Sequence, residues 1–196
     1  MSRHLHAPSP FPVPAEVSAL IERIPQFQGS GQLTVEPLES VISLNNSNYR
    51  LTVGDYSYLL RVAADTAHFL GIRREEELEA AKAAAEVGIA PRILYSEPTG
   101  HMLMPWIEGR HWEPEEFHTP ENIHRLGDTL RRLHRVTEVK GDASVYRRIE
   151  RMLQNAESLK LQTPDHLQEC LTRMAEIETM RHAEPDFAPG LTHNDF

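Results

Sequence analysis

Four groups of residues in this chain are of types that could act on phosphate or on a hydroxyl. The polar stretch Ser43-Leu44-Asn45-Asn46-Ser47-Asn48 is built of small and amide residues, with Asn46 at its centre. Such a stretch lets backbone N–H groups approach a phosphate oxygen. Arg61 in an otherwise apolar run, with Glu77 further on, could form a cation held by a carboxylate. Phosphoryl transfer depends on clamps of that kind, because its catalysis is mostly positioning and charge stabilisation. The run His101 to Gly109 contains Met102, Met104, Trp106 and Ile107 and could offer apolar walls and backbone groups to an adenine ring. Finally, His193-Asn194-Asp195 places a carboxylate where it could orient and deprotonate a hydroxyl.

Each group also has a plain reading. A polar turn is usually just solvated. A strand arginine can carry its charge out to water along its own stem. Glu77 stands among Glu75, Glu76 and Glu79, so pattern alone does not single it out. Met102, Met104 and Trp106 could simply fill an irregular core, and a histidine–carboxylate tripeptide arises by chance or as a fortuitous metal pair.

The elements that must position these groups are legible. Val17, Leu20, Ile21 and Ile24 recur at helical spacing over Glu16–Ile24, and Gly29-Ser30-Gly31 ends that segment. Gln32–Leu38 reads as a strand. Tyr49–Val53 and Tyr56–Val62 flank Gly54-Asp55, a two-residue hairpin turn. Alternation along the second run puts Tyr56, Tyr58, Leu60 and Val62 on one face and Ser57, Leu59 and Arg61 on the other. Arg61 therefore points away from the more apolar face. Arg73–Val87 is rich in Glu, Ala, Lys and Leu and predicts a helix, with Gly88 at its C-terminal cap and Pro91 barring continuation. Ile93–Tyr95 and His101–Ile107 predict short strands around the turn Pro98-Thr99-Gly100. Thr119-Pro120-Glu121 then starts a helix whose apolar stripe is Ile123, Leu126, Leu130 and Leu133. Helices near Ser144–Leu161 and Asp165–Arg181 follow. Strands with one helix, then several helices, define an α+β chain in two lobes with a boundary near Glu108-Gly109.

Bulk properties narrow the function classes. The net charge of -9 argues against a nucleic-acid partner, which needs a basic footprint. A single cysteine, Cys170, excludes an intrachain disulfide framework and suits a reducing, cytoplasmic location. No apolar run is long enough to span a membrane. Residues 1–14 hold four prolines and no apolar core, and read as a disordered tail in which His4 and His6 are solvated.

The four groups occur together, in this order, in one family. Leu44-Asn45-Asn46-Ser47-Asn48-Tyr49-Arg50 and the strand ending at Arg61 resemble the opening of choline/ethanolamine kinases and aminoglycoside phosphotransferases. Gly88-Ile89-Ala90-Pro91-Arg92-Ile93-Leu94-Tyr95, Ile107-Glu108-Gly109, Leu130-Arg131-Arg132-Leu133-His134 and Leu191–Phe196 resemble later motifs of the same family, so that the likeness covers roughly residues 15–196. The resemblance implies a protein-kinase-like fold: a small antiparallel-sheet N-lobe with one helix over 15–108, and an incomplete, mainly helical C-lobe over 109–196. It also implies ATP and Mg2+ as cofactors and a small-molecule alcohol as substrate, with choline-, ethanolamine- or thiamine-like cationic amines favoured over aminoglycosides. Arg61 would grip phosphate and Glu77, fourteen positions before Pro91, would be its helix partner. Asn46 would lie near the phosphates, Met104, Trp106 and Ile107 would face the adenine, and Asp195 would be the catalytic base.

Two departures stand against the family pattern. Ile42 and Ser43 occupy positions where the family carries a glycine pair, and a side chain there obstructs backbone approach to phosphate. The family's metal-binding asparagine and aspartate fall after the catalytic aspartate, beyond Phe196. The expectation is therefore a chain without metal ligands of its own, inactive by itself. The alternative is a non-catalytic, kinase-like nucleotide-binding or regulatory protein.

Overall fold

The structure, a computed structural model, describes residues 13–29, 31–38, 46–142, 144–186 and 190–192. The tail 1–12, the positions of Ile42 and Ser43, and residues 193–196 lie outside them. Among the described residues the α-helices and strands follow in the order α1 (Ala15–Arg23), β1 (Leu33–Leu38), β2 (Asn46–Val53), β3 (Tyr56–Ala63), α2 (Arg74–Glu86), β4 (Tyr95–Ser96), β5 (Met102–Pro105), α3 (Pro120–His134), α4 (Val145–Ser158) and α5 (Leu167–His182). The strands form one antiparallel sheet in the order β1-β2-β3-β5-β4. The chain is thus α+β.

Several boundaries differ from the sequence reading by one or more residues, and three of them bear on the sheet. Asn46, Ser47 and Asn48 belong to β2 rather than to a turn, because β3 runs on to Ala63 and pairs with them. Ladder bonds come from the main chain, so polar side chains do not stop a strand that has a partner. β5 ends at Pro105, which has no N–H to donate, although Trp106 still donates to the carbonyl of Ser57 at 3.0 Å. β4 is limited to Tyr95–Ser96, opposite Leu103 and Met102.

By packing, the chain divides into two compact units. One comprises Met1–Asp65 with Pro91–His111, the other Thr66–Ala90 with Trp112–Phe196. Helix α2, expected with the sheet segment, groups with the other long helices. The reason is visible in its bonds, described below.

In the first unit α1 lies on the sheet. Val17, Leu20, Ile21, Ile24 and Phe27 bury against Tyr49, Leu51, Leu60 and Leu103. Phe27 meets Tyr58 edge to face at 5.4 Å. The helix has no side-chain cap at Pro14, so its apolar stripe holds it rather than its ends. A polar clasp closes its far end. Arg23 donates to both oxygens of Glu97, at 3.0 and 3.1 Å, and the Tyr95 hydroxyl donates to Glu97 at 2.7 Å. The Arg23 guanidinium, then Tyr95, hold the Glu97 carboxyl below its ordinary value.

In the second unit helix ends are chemically marked. Thr119 accepts from the Asn122 N–H at 3.4 Å, and Ser144 from that of Arg147 at 3.4 Å. Arg131, Arg132 and His134 sit at the negative end of α3. Neither α4 nor α5 contains a buried residue. Leu126, Leu130, Ile149, Leu153, Leu171 and Met174 are half-buried and Leu133 is buried, while Ile123, Val145, Met152, Leu159, Leu161, Ile177 and Met180 are exposed. Among the described residues no helix is long and apolar enough to cross a membrane.

Two outcomes test this packing. Leu51→Ala, at a position with no exposed surface, is expected to destabilise the first unit by about 2–5 kcal/mol in urea unfolding. Glu97 has a folded value below its ordinary 4.5, so its contribution is complete above that pH and is lost as the pH falls through the lower folded value. Glu97→Gln should therefore flatten the acid limb of the stability curve and leave the neutral region less stable.

Candidate functional site

The register of the sheet decides which candidate residues share a face. Arg61 pairs with Asn48 on one side and Met102 on the other; Leu59 pairs with Arg50 and Met104; Ala63 pairs with Asn46. Paired residues share a face and alternate residues repeat it. Asn46, Asn48, Arg50, Leu59, Arg61, Met102 and Met104 therefore share the face opposite α1, while Tyr49, Leu51, Leu60 and Leu103 turn toward α1. The same face holds Asn46, Arg61 and Met104, which are 15 to 58 positions from one another in the sequence. Met102 and Met104 are buried, at 1% and 9% exposure. Arg61 and Asn46 are half-buried.

Trp106 continues the line of β5 beyond Pro105. Its ring lies under the guanidinium of Arg50, whose Cζ is 4.5 Å from the ring centroid. Arg50 Nη2 also reaches Ser57 Oγ at 3.3 Å and Glu108 Oε1 at 3.4 Å. Ile107 is 65% exposed. Sequence reasoning placed Trp106 and Ile107 here but missed Arg50. Its signal was present as a cation beside the polar Asn46–Asn48 stretch, but only the register shows that it faces the same way.

Glu77 accepts a hydrogen bond from Arg74 at 2.6 Å, one turn away on α2. Arg61 and Glu77 belong to different packing units. Another engaged carboxylate of α2 is Glu76, which sequence reasoning left among its neighbours. It accepts from the Asp142 N–H at 3.2 Å and lies 3.5 Å from both Arg73 and Arg151. Its side chain is 11% exposed. A Cβ at Gly141 would come within 2.5 Å of the Glu76 side chain, so this loop fits only as glycine.

Around that carboxylate α4 is fastened to the turn preceding α2. Arg148 donates to the carbonyl of Leu70 at 3.1 Å, Arg151 to that of Gly71 at 3.0 Å, and Asn155 to that of His68 at 2.7 Å. Arg132 on α3 donates to the carbonyl of Val87 at the other end of α2. These bonds explain why α2 groups with the helices. Arg147 joins α4 to α5 through both oxygens of Glu178, at 2.7 and 2.6 Å. A cavity of about 600 Å³ lies in this unit, lined among others by Glu76, Ala80, Lys140, Asp142, Arg148 and Thr192. Hydrogen bonding from Ser144 holds the Asp142 carboxyl below its ordinary value. Leu191, which precedes His193-Asn194-Asp195 in the sequence, donates to the carbonyl of Val136 at 3.0 Å. That tripeptide, with Asp195, lies outside the described residues. Among the described residues no three His, Cys, Asp or Glu side chains gather to hold a metal ion.

Residues 36–196 match the phosphotransferase enzyme family, which is most of the chain, and the chain belongs to that family. No curated protein matches it. Among solved structures, a choline/ethanolamine kinase family protein from Mesorhizobium loti is 25% identical, with a TM-score of 0.56 over 87% of this chain and 54% of that one. The gentamicin–APH(2″)-IIa complex is similar at 16% identity and a TM-score of 0.56, over 95% of this chain and 64% of that one. An ADP-bound aminoglycoside phosphotransferase, APH(2″)-Ib, is similar at 18% identity and a TM-score of 0.50, over 94% and 64%. The fold is thus the α+β, protein-kinase-like one, and the chain spans about half to two thirds of the length of these structures.

Glu76 supplies the test of the second unit. Glu76→Ala leaves the Asp142 N–H without its acceptor and Arg151 without its carboxylate. A loss of about 1–3 kcal/mol in the thermal or urea unfolding of α2 and α4 is expected. Double substitution with Arg151→Ala should be less than additive if the two are coupled.

Proposed function

We propose that this chain carries the nucleotide-binding part of an ATP-dependent phosphotransferase acting on the hydroxyl of a small molecule. The observation that supports this most is the shared sheet face. Asn46 and Arg61 stand on it beside the apolar Met102 and Met104, with Trp106 at the end of the same line. Polar groups next to an apolar wall suit a nucleotide, whose phosphates are charged and whose base is flat and apolar-faced. In this reading Arg61 and Asn46 hold phosphate, with Glu77 as ion-pair partner of Arg61. Met104, Trp106 and Ile107 face the adenine. ATP supplies the γ-phosphoryl group; its bond to the ADP oxygen breaks as a bond to the substrate oxygen forms. Asp195 takes the proton from that hydroxyl.

Membership of the phosphotransferase family supports the reaction class. The likeness to the choline/ethanolamine kinase family protein favours a choline-, ethanolamine- or thiamine-like alcohol, and the net charge of -9 is compatible with a cationic amine. The division into a kinase-like N-lobe over 15–108 and a helical C-lobe over 109–196, and a cytoplasmic location, complete the proposal. Because the chain spans about half the length of that relative, turnover is proposed for a protein of full domain length, and nucleotide binding for the chain itself.

Titration with ATP, followed by calorimetry, tests the site. Arg61→Ala should weaken binding roughly 10- to 100-fold, the scale of a lost hydrogen bond to a charged group. In a full-length domain assayed with choline, ethanolamine and thiamine, Asp195→Asn should lower turnover by about 10²–10⁴ while ATP affinity stays within twofold. Unchanged turnover in Asp195→Asn, or unchanged ATP affinity in Arg61→Ala, would remove the corresponding role.

A further inference from the structure

We propose that Arg50 is a positioning residue for the nucleotide, acting through Trp106 and the main chain of residues 106–108. The inference rests on the nucleotide reading given above. Arg50 makes three contacts, two of them to one short segment and one to β3. Its guanidinium lies 4.5 Å over the Trp106 ring, and its Nη2 reaches Ser57 Oγ at 3.3 Å and Glu108 Oε1 at 3.4 Å. Ser57 in turn accepts the Trp106 N–H on its carbonyl at 3.0 Å, and its hydroxyl lies 3.2 Å from that of Thr52. The planar, multiply donating guanidinium is the side chain that can stack on an indole and bond sideways at the same time; an ammonium cannot do both. Arg50 thereby ties the segment after β5 to β2 and β3.

This fastening is poorly suited to stability alone. Arg50 Nε and Trp106 Nε1 are both buried without a hydrogen-bond partner, a condition folded proteins generally avoid. Glu108 is 82% exposed, so its ion pair contributes little. What the arrangement does secure is the plane of the indole and the course of the backbone beside Met104. Arg50 pairs with Leu59, which pairs with Met104, so the cation and the apolar wall are two ladder steps apart on one face. A base entering beside Met104 and Trp106 would meet a surface already set, and less ordering would remain to be done on binding.

The test uses the full chain carrying Trp112→Phe, so that Trp106 is the sole tryptophan and its emission reports the stack. Calorimetric titration with ATP is run on the same proteins. Arg50→Ala should shift Trp106 emission to longer wavelength and weaken ATP binding roughly tenfold, the scale of a partly desolvated cation–π contact. Arg50→Lys should recover less than half of that affinity, because it keeps the charge without the planar fork. Glu108→Gln should leave both readouts within twofold of the parent. If Arg50→Ala shifts the emission but binds ATP as tightly as its parent, the stack is structural and the inference falls. It falls equally if neither readout moves. Should the parent itself bind no ATP, the nucleotide reading fails first, a result distinct from the other two. If Arg50→Ala does not fold, Arg50→Lys against the parent carries the same comparison, and equal ATP affinity in the two overturns the proposal.

Discussion

The pairing register of β2 with β3 is the constraint on which the first unit depends. The two-residue turn Gly54-Asp55 sets it, with Val53 opposite Tyr56 and Gly54 at a φ of 57° that a side chain would strain. From there every pair is determined, down to Ser47 opposite Val62 and Asn46 opposite Ala63. A slip of one residue would turn Leu60 out of its contacts with α1 and turn Arg61 into the apolar core. That exchange would bury an unpaired charge and expose a fully buried leucine. The apolar face and the polar face are thus two consequences of one register, and the burial of Leu51, Leu60 and Leu103 under α1 is what enforces the orientation of Asn46, Arg50 and Arg61.

The second unit is held on a different principle. Its helices α4 and α5 have no buried residue, and much of their attachment is made by long cationic side chains reaching backbone carbonyls. Arg148, Arg151 and Asn155 lie on one face of α4 by their spacing and satisfy carbonyls at 70, 71 and 68. Such bonds are directional. They fix how α2 and α4 meet more sharply than an apolar contact of the same area would, because a guanidinium that misses its carbonyl is left without return for its desolvation. Glu76 sits at the centre of this set, between Arg73, Arg151 and the loop at Asp142.

The proposed phosphoryl transfer would draw on the two units in different ways. The reaction needs little from the protein in bond-making and much in positioning. A sheet whose one face is anchored by a dense apolar core offers a rigid support for charged and planar contacts on the other. A helical unit tied together by hydrogen bonds can hold its own carboxylates at set distances. Family membership and fold agree with both features, each within its own unit.

How much of this was legible beforehand depends on the range of the information. The helix stripe at Val17, Leu20, Ile21 and Ile24, the turn at Gly54-Asp55, the cap at Thr119, and the alternation that sets Arg61 against Leu60 are local. Each is written within a few residues by periodicity, φ preference or a side-chain oxygen, and the sequence by itself determined them. The motifs from Leu44 to Phe196 also carried the family resemblance. Other features required the folded chain. Asn46–Asn48 reads as a turn until β3 provides a partner, since a strand edge is decided by the neighbouring main chain and not by side-chain polarity. Glu76 is indistinguishable from Glu75 and Glu77 until α4 arrives, because helical position alone does not say which side will be covered. Arg50 gains its place only when Trp106, 56 positions later by residue number, is carried under it by β5. Contacts of that range depend on strand order and register, which are properties of the whole sheet, and the tertiary structure alone decides them.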